Sequence, residues 1–144
     1  MTEAACLFCE IVRGEQAALS VFESDECLAF LDHRPLFPGH TLLVPRDHHE
    51  TLADLPQTLV EPLFGSAQRL ARAVEKAMAA DGTFVAINNK ISQSVPHLHV
   101  HIVPRRRKDG MKGFFWPRVP YASPEAAVEA QSAIRAAIRD LPTP

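Results

Sequence analysis

The residues best equipped for chemistry are histidines. Three of them alternate with branched apolar residues in Pro96-His97-Leu98-His99-Val100-His101-Ile102-Val103-Pro104. A period of two is the signature of a strand, whose successive side chains point to opposite faces. His97, His99 and His101 then share one face, about 7 Å apart per two residues. Leu98, Val100 and Ile102 share the other, which a helix can cover. The flanking prolines are expected to stop the strand ladder at each end. Such a stripe has three readings: a transition-metal site, a nucleophile with flanking acid and orienting groups, or a polar surface with no chemistry. Gln93 and Ser94, just upstream, add an amide and a hydroxyl suited to an anionic oxygen.

The rest of the chain must position those groups. Its 144 residues suffice for one domain with a real core. With 47% hydrophobic and 22% charged residues the composition is that of a globular protein. A net charge of −2 supplies no general attraction to nucleic acid. No stretch approaches a membrane span, and the first residues lack a basic-then-apolar leader pattern. Three cysteines, two of them as Cys6-x-x-Cys9, do not make a secreted disulfide scaffold. A cytoplasmic protein that engages neither nucleic acid nor membrane is the expectation.

In order, Cys6–Arg13 reads as a short helix closed by Gly14, and residues 19–23 and 27–31 as a hairpin around Ser24-Asp25. Leu36-Phe37-Pro38-Gly39 is a turn and residues 40–44 the next strand. Residues 54–80 hold the main helix, with Leu63, Ala67, Leu70, Val74, Ala77 and Met78 on one face. Its start is ambiguous between a capping box at Thr58 and Glu61 and the first-turn preference of Pro62. Gly82 is expected to end it in the left-handed conformation. Residues 84–87 form another strand. Ser123-Pro124 caps a last helix with Ala127, Ala130, Ile134, Ile138 and Leu141 on one side. Arg105-Arg106-Arg107-Lys108 reads as a solvated loop, and Phe114-Phe115-Trp116 as an aromatic cluster that covers the core or borders the site.

Gln93-Ser94-Val95-Pro96-His97-Leu98-His99-Val100-His101-Ile102-Val103 resembles the signature of the histidine-triad superfamily, His-φ-His-φ-His-φ-φ with φ apolar. The likeness continues through Cys6-Leu7-Phe8-Cys9, Phe30-Leu31-Asp32 and Pro38-Gly39-His40-Thr41-Leu42-Leu43-Val44-Pro45, covering about residues 5–106. It implies an α+β histidine-triad fold: a five-stranded antiparallel sheet, one long packed helix, and short N-terminal and C-terminal helices. Residues 1–106 would be the triad domain, and 107–144 an extension of the same domain. The tail helix is similar to that of the fragile-histidine-triad branch.

The resemblance further implies a purine pocket walled by Leu7, Phe8, Ile11 and Leu31, with Asp32 accepting from the ribose hydroxyls. It places His40 beside the triad and phosphate, and Asn88 (with Asn89 the alternative) on the phosphate in a loop about two residues shorter than usual. Cys6, Cys9, His48 and His97 are a candidate Cys2His2 set for a structural zinc, with His49 the fallback ligand. A homodimer packed through the long helix is also implied. His99 would be the nucleophile, one ring nitrogen exposed and the other held by a backbone carbonyl or His97. His101 would donate to the leaving group, while Gln93, Ser94, Asn88 and backbone N–H groups stabilise the phosphoryl oxygens. No metal is required for that chemistry. The expected reaction is two-step hydrolysis at the α-phosphorus of a purine nucleotide, either a dinucleoside polyphosphate or a nucleoside phosphoramidate. A nucleotidyl transferase using phosphate, a non-catalytic nucleotide-binding adaptor and a metalloenzyme are the alternatives.

Overall fold

The computed structural model describes residues 5–111 and 118–143. The elements, in order, are α1 (Leu7–Val12), β1 (Ser20–Glu23), β2 (Cys27–Leu31), β3 (Thr41–Pro45), α2 (Gln57–Ala77), β4 (Gly82–Ala86), β5 (Val100–Arg105) and α3 (Pro124–Asp140), with a 3-10 turn at Leu52–Asp54 between β3 and α2. The strands make one five-stranded sheet in the order β1-β2-β3-β5-β4. Every neighbouring pair is antiparallel. This is the expected α+β architecture. The chain divides into two compact units, residues 1–107 and 108–144.

Alternation along the strands sorts side chains between two cores. On one face Cys27, Ala29, Leu43, Leu98, Val100 and Ile102 pack against Leu63, Ala67, Leu70 and Val74 of α2. On the other, Leu28, Phe30, Leu42 and Val44 pack against Cys6, Phe8 and Cys9. Full burial of each large apolar side chain is worth about 1.5–3 kcal/mol, so the sheet is held from both sides. The histidines lie on the α1 side. Leu42 is the register partner of His101, and its side chain belongs to the α1-side core.

Several boundaries differ from the sequence expectation. The triad strand begins at Val100 and runs through Pro104 to Arg105, so His97 and His99 precede the ladder. β3 pairs with β5 only as far as Ile102. One edge of β5 is therefore open at Pro104, and a residue without an N–H can stay in the sheet. The helix α2 starts at Gln57, with Pro62 inside it, and stops at Ala77. The capping box forms earlier, at Thr51 and Asp54, around the 3-10 turn. After α2 the left-handed residue is Ala79, with φ 47°, rather than Gly82. The Asp81 N–H donates to the Arg105 carbonyl at 2.9 Å, which draws Gly82 into β4. β4 accordingly ends at Ala86, one residue before Ile87.

In the second unit Ser123 caps α3 by accepting from the Ala126 N–H at 3.1 Å, with Pro124 in the first turn. None of its residues is buried. Phe114, Phe115 and Trp116 lie outside the described residues.

Candidate active site and metal centre

His99 emerges from the short irregular segment that leads into β5. That segment is anchored by the Leu98 N–H, which donates to the His49 carbonyl at 2.6 Å. The His99 ring is edge-on to Phe8 of α1, with centroids 5.1 Å apart. Its Nδ1 lies 2.7 Å from the His97 carbonyl oxygen. A carbonyl only accepts, so Nδ1 carries the proton and Nε2 keeps its lone pair. Burial pushes the His99 pKa down, opposed by that hydrogen bond and by Asp32. The ring is thus neutral at pH 7, with a bare nitrogen, as a nucleophile must be.

His101, two residues on, faces the same way, its ring centroid 4.9 Å from that of His99. Its Nδ1 meets His40 Nε2 at 2.9 Å, while its own Nε2 is buried with no partner. Burial, then the neighbouring His99 and His40, hold His101 down at about 4. His40 is placed by the turn Phe37–His40, closed by a 3.0 Å bond from the His40 N–H to the Phe37 carbonyl. Pro38 and Gly39, the latter at φ 96°, are the residues a type II turn requires.

A cavity of about 870 Å³ opens over these rings, within the size range of nucleotide-scale sites. His99, His101, Asp32 and Ser94 supply polar groups to its wall, and Leu7, Phe8, Ile11 and Leu31 supply apolar surface. Of the other expected site residues, His40 and His97 stand behind the wall. Asn88 and Gln93 are also absent from the lining. Both ends of the Gln93 amide are engaged elsewhere: Oε1 accepts from the Lys90 N–H at 2.8 Å, and Nε2 donates to the Glu50 carbonyl at 2.6 Å. Asn89 Oδ1 likewise accepts from the Leu52 N–H at 2.9 Å. These amides brace the loop before the triad against residues 50–52. The lining also includes Gln16, Leu19, His33 and Arg34, which the sequence reading did not single out. His33 and Arg34 directly follow Asp32, so adjacency was the available signal.

The second centre lies on the far side of His97. Its Nε2 donates to the Pro45 carbonyl at 2.8 Å. Nδ1 is therefore bare, and it lies 3.5 Å from Cys6 Sγ and 3.4 Å from Cys9 Sγ. His48 Nδ1 is 3.2 Å from Cys9 Sγ. All four ligand atoms lie within 4.8 Å of one another, and three of the four residues are buried. A tetrahedral zinc with ordinary Zn–S and Zn–N lengths needs ligand-to-ligand edges of about 3.3–3.8 Å. The set fits that ion, with His48 rather than the fallback His49 completing it.

Known proteins similar to this chain share one family. The model of the HIT domain family matches residues 13–108. The chain is similar to an adenylylsulfatase, HINT3, of Arabidopsis thaliana, at 37% identity over 106 residues, 72% of this chain and 54% of that protein. The shared region is thus about half the length of that plant relative. It is 37% identical over 117 residues to the adenosine 5'-monophosphoramidase HNT1 of Saccharomyces cerevisiae, covering 80% of this chain and 72% of that one. Among solved structures it superposes on a zinc-bound histidine triad family protein from Mycobacterium smegmatis with a TM-score of 0.71 and 34% identity, covering 94% and 99% of the two chains. Among the described residues no helix is long and apolar enough to cross a membrane.

Proposed function

This chain belongs to the HIT domain family, and on that premise we propose that it is a nucleotide hydrolase acting at the α-phosphorus of a purine nucleotide. The observation that carries the reading is the fixed tautomer of His99. Its Nδ1–H is tied to the His97 carbonyl, and the ring borders a cavity large enough for a nucleotide.

In the first step the His99 Nε2 lone pair attacks the α-phosphorus. The bond from phosphorus to the leaving group breaks, and its electron pair departs with that group, which takes its proton from solvent. His101 faces the site as a hydrogen-bond partner for the departing atom. The nucleotidyl-His99 cation keeps Nδ1–H on the His97 carbonyl, which spreads the new charge. In the second step water attacks phosphorus, the electron pair returns to His99 Nε2, and the water proton leaves to solvent. The net reaction consumes one water and releases a nucleoside monophosphate. Ser94 donates to a phosphoryl oxygen. Leu7, Phe8, Ile11 and Leu31 hold the base, and Asp32 accepts from the ribose hydroxyls, a vicinal pair that suits a carboxylate.

The yeast phosphoramidase and the plant adenylylsulfatase support substrates in which adenylate is joined to a small leaving group, and a nucleoside phosphoramidate is the first to test. A dinucleoside polyphosphate is the second, favoured by the size of the cavity. A zinc ion in the Cys6, Cys9, His48 and His97 set has a structural role: all four positions are protein ligands, which leaves none open for substrate. Cys6 and Cys9 at α1, His48 just after β3 and His97 in the triad segment would hold it, and it would supply a cross-link between those segments. We place the active form in the cytoplasm as a homodimer.

The test is a rapid quench with adenosine phosphoramidate labelled at phosphorus. Wild type should release AMP and yield an acid-labile label on His99. His99→Ala should bind AMP about as well yet lose at least about 10³-fold in turnover. A variant that keeps full turnover would remove His99 from the role.

A further inference from the structure

We propose that the main-chain N–H of Leu36 is a positioning group for the reaction: by donating to His40 Nδ1 it fixes, through His40, a proton on His101 Nε2, so that His101 meets the substrate as a hydrogen-bond donor. The proposal deepens the hydrolase reading and rests on it for the identity of the substrate, while its structural content stands apart.

The protons lie along one line of hydrogen bonds from Leu36 through His40 to His101. The Leu36 N–H points at His40 Nδ1 across 3.1 Å. An amide cannot accept, so that nitrogen must present its lone pair. The other group near Nδ1 is the Asp32 carboxylate, at 3.7 Å. That is too long for a hydrogen bond, so it does not compete for the position. Burial also holds His40 below the ordinary histidine range, so the ring is neutral and has one proton, which must sit on Nε2. His40 Nε2 is 2.9 Å from His101 Nδ1. Since His40 donates there, His101 Nδ1 accepts, and the single proton of neutral His101 is left on Nε2. That nitrogen is the buried one without a protein partner, on a ring that lines the cavity.

The consequence is a division of labour between two adjacent imidazoles. The His97 carbonyl leaves His99 with a bare Nε2 toward the cavity. The Leu36 amide leaves His101 with a protonated one. One backbone acceptor and one backbone donor thus set two chemically identical side chains to opposite roles. His40 lies behind the cavity wall and is a positioning residue in this scheme.

The test reads the protons directly. Nitrogen NMR of the full chain, labelled in its histidines, should show a protonated His101 Nε2 and a bare His40 Nδ1. Replacing the Leu36 amide by an ester, which keeps the side chain and swaps N–H for oxygen, should reverse both tautomers. It should lower kcat for adenosine phosphoramidate about 10²-fold, with KM changed less than about threefold. His40→Gln, whose amide N–H can still donate to His101 Nδ1, should stay within about tenfold of wild type, while His40→Ala should fall about 10²-fold or more. A bare His101 Nε2 in wild type, an ester variant with unchanged tautomers and kcat, or equal losses in the Gln and Ala variants would overturn the proposal. Should the ester chain fail to fold, the wild-type spectrum and the two His40 variants still decide it. If wild type turns over no nucleotide, the hydrolase reading fails while the spectrum still judges the proton placement.

Discussion

The backbone carbonyl of His97 accepts the Nδ1 proton of His99 at 2.7 Å. The same His97 turns its ring the other way, donating from Nε2 to the Pro45 carbonyl and facing two thiols with Nδ1. One residue therefore belongs to both centres: its ring to the metal-ligating set, its carbonyl to the nucleophile. Metal loading and nucleophile geometry meet at a single peptide unit.

Metal removal should act first on stability. A chelator, or Cys9→Ser, should lower Tm by on the order of 10 °C, because metal bound only to the folded state adds stability in proportion to its affinity. Turnover of the remaining folded protein at low temperature should hold within a few-fold. Calorimetry beside a zinc assay checks the first effect. Complete loss of turnover in chain that is still folded would point to a catalytic ion instead.

Acid should destabilise the metal-free fold over a defined range. His97 and His101 are held at about 4, chiefly by burial, against an ordinary value of about 6.5. Between those values the unfolded chain binds more protons than the folded one, so stability rises with pH. The contribution is complete above about pH 6.5 and is lost as pH falls through the window toward 4, at about 3 kcal/mol for His101. Urea midpoints from pH 4 to 7.5 measure it, and His101→Gln should flatten the curve.

Asp32→Ala should raise KM for ribonucleotides about 10-fold, since one charged hydrogen-bond acceptor is lost, with a smaller effect on kcat. Asp32 Oδ1 also accepts from the Arg34 N–H at 2.9 Å, so Asp32→Asn, which keeps that oxygen, is the companion variant. Comparison with 2'-deoxynucleotides is decisive. Wild type should discriminate against them, and Asp32→Ala should not.

Gly39→Ala should cost about 2–4 kcal/mol. Gly39 has φ 96°, and a Cβ there would sit 2.6 Å from Met78 Cγ. Because Gly39 directly precedes His40, activity should fall along with stability. Adding Met78→Ala should recover the steric part and leave the conformational part, which a double-mutant cycle separates.

The sequence determined a good deal by itself. Period-two alternation put Leu98, Val100 and Ile102 in one core and the three histidines on the other face, and helical spacing placed Leu63, Ala67, Leu70 and Val74 under the sheet. Cys6-x-x-Cys9 with His48 and His97 were readable as a candidate ligand set by residue type and family resemblance, and the fold brings their ligand atoms within 4.8 Å of one another. These are matters of local geometry and side-chain chemistry, and both are carried by the order of residues. Only the tertiary structure decided where the triad segment enters the ladder, that Gln93 braces a loop, and which nitrogen of His40, His97, His99 and His101 holds the proton. Those outcomes hang on backbone groups at Leu36, Pro45 and His97. Every residue carries the same amide and carbonyl, so nothing in the residue order marks the ones that folding brings to an imidazole.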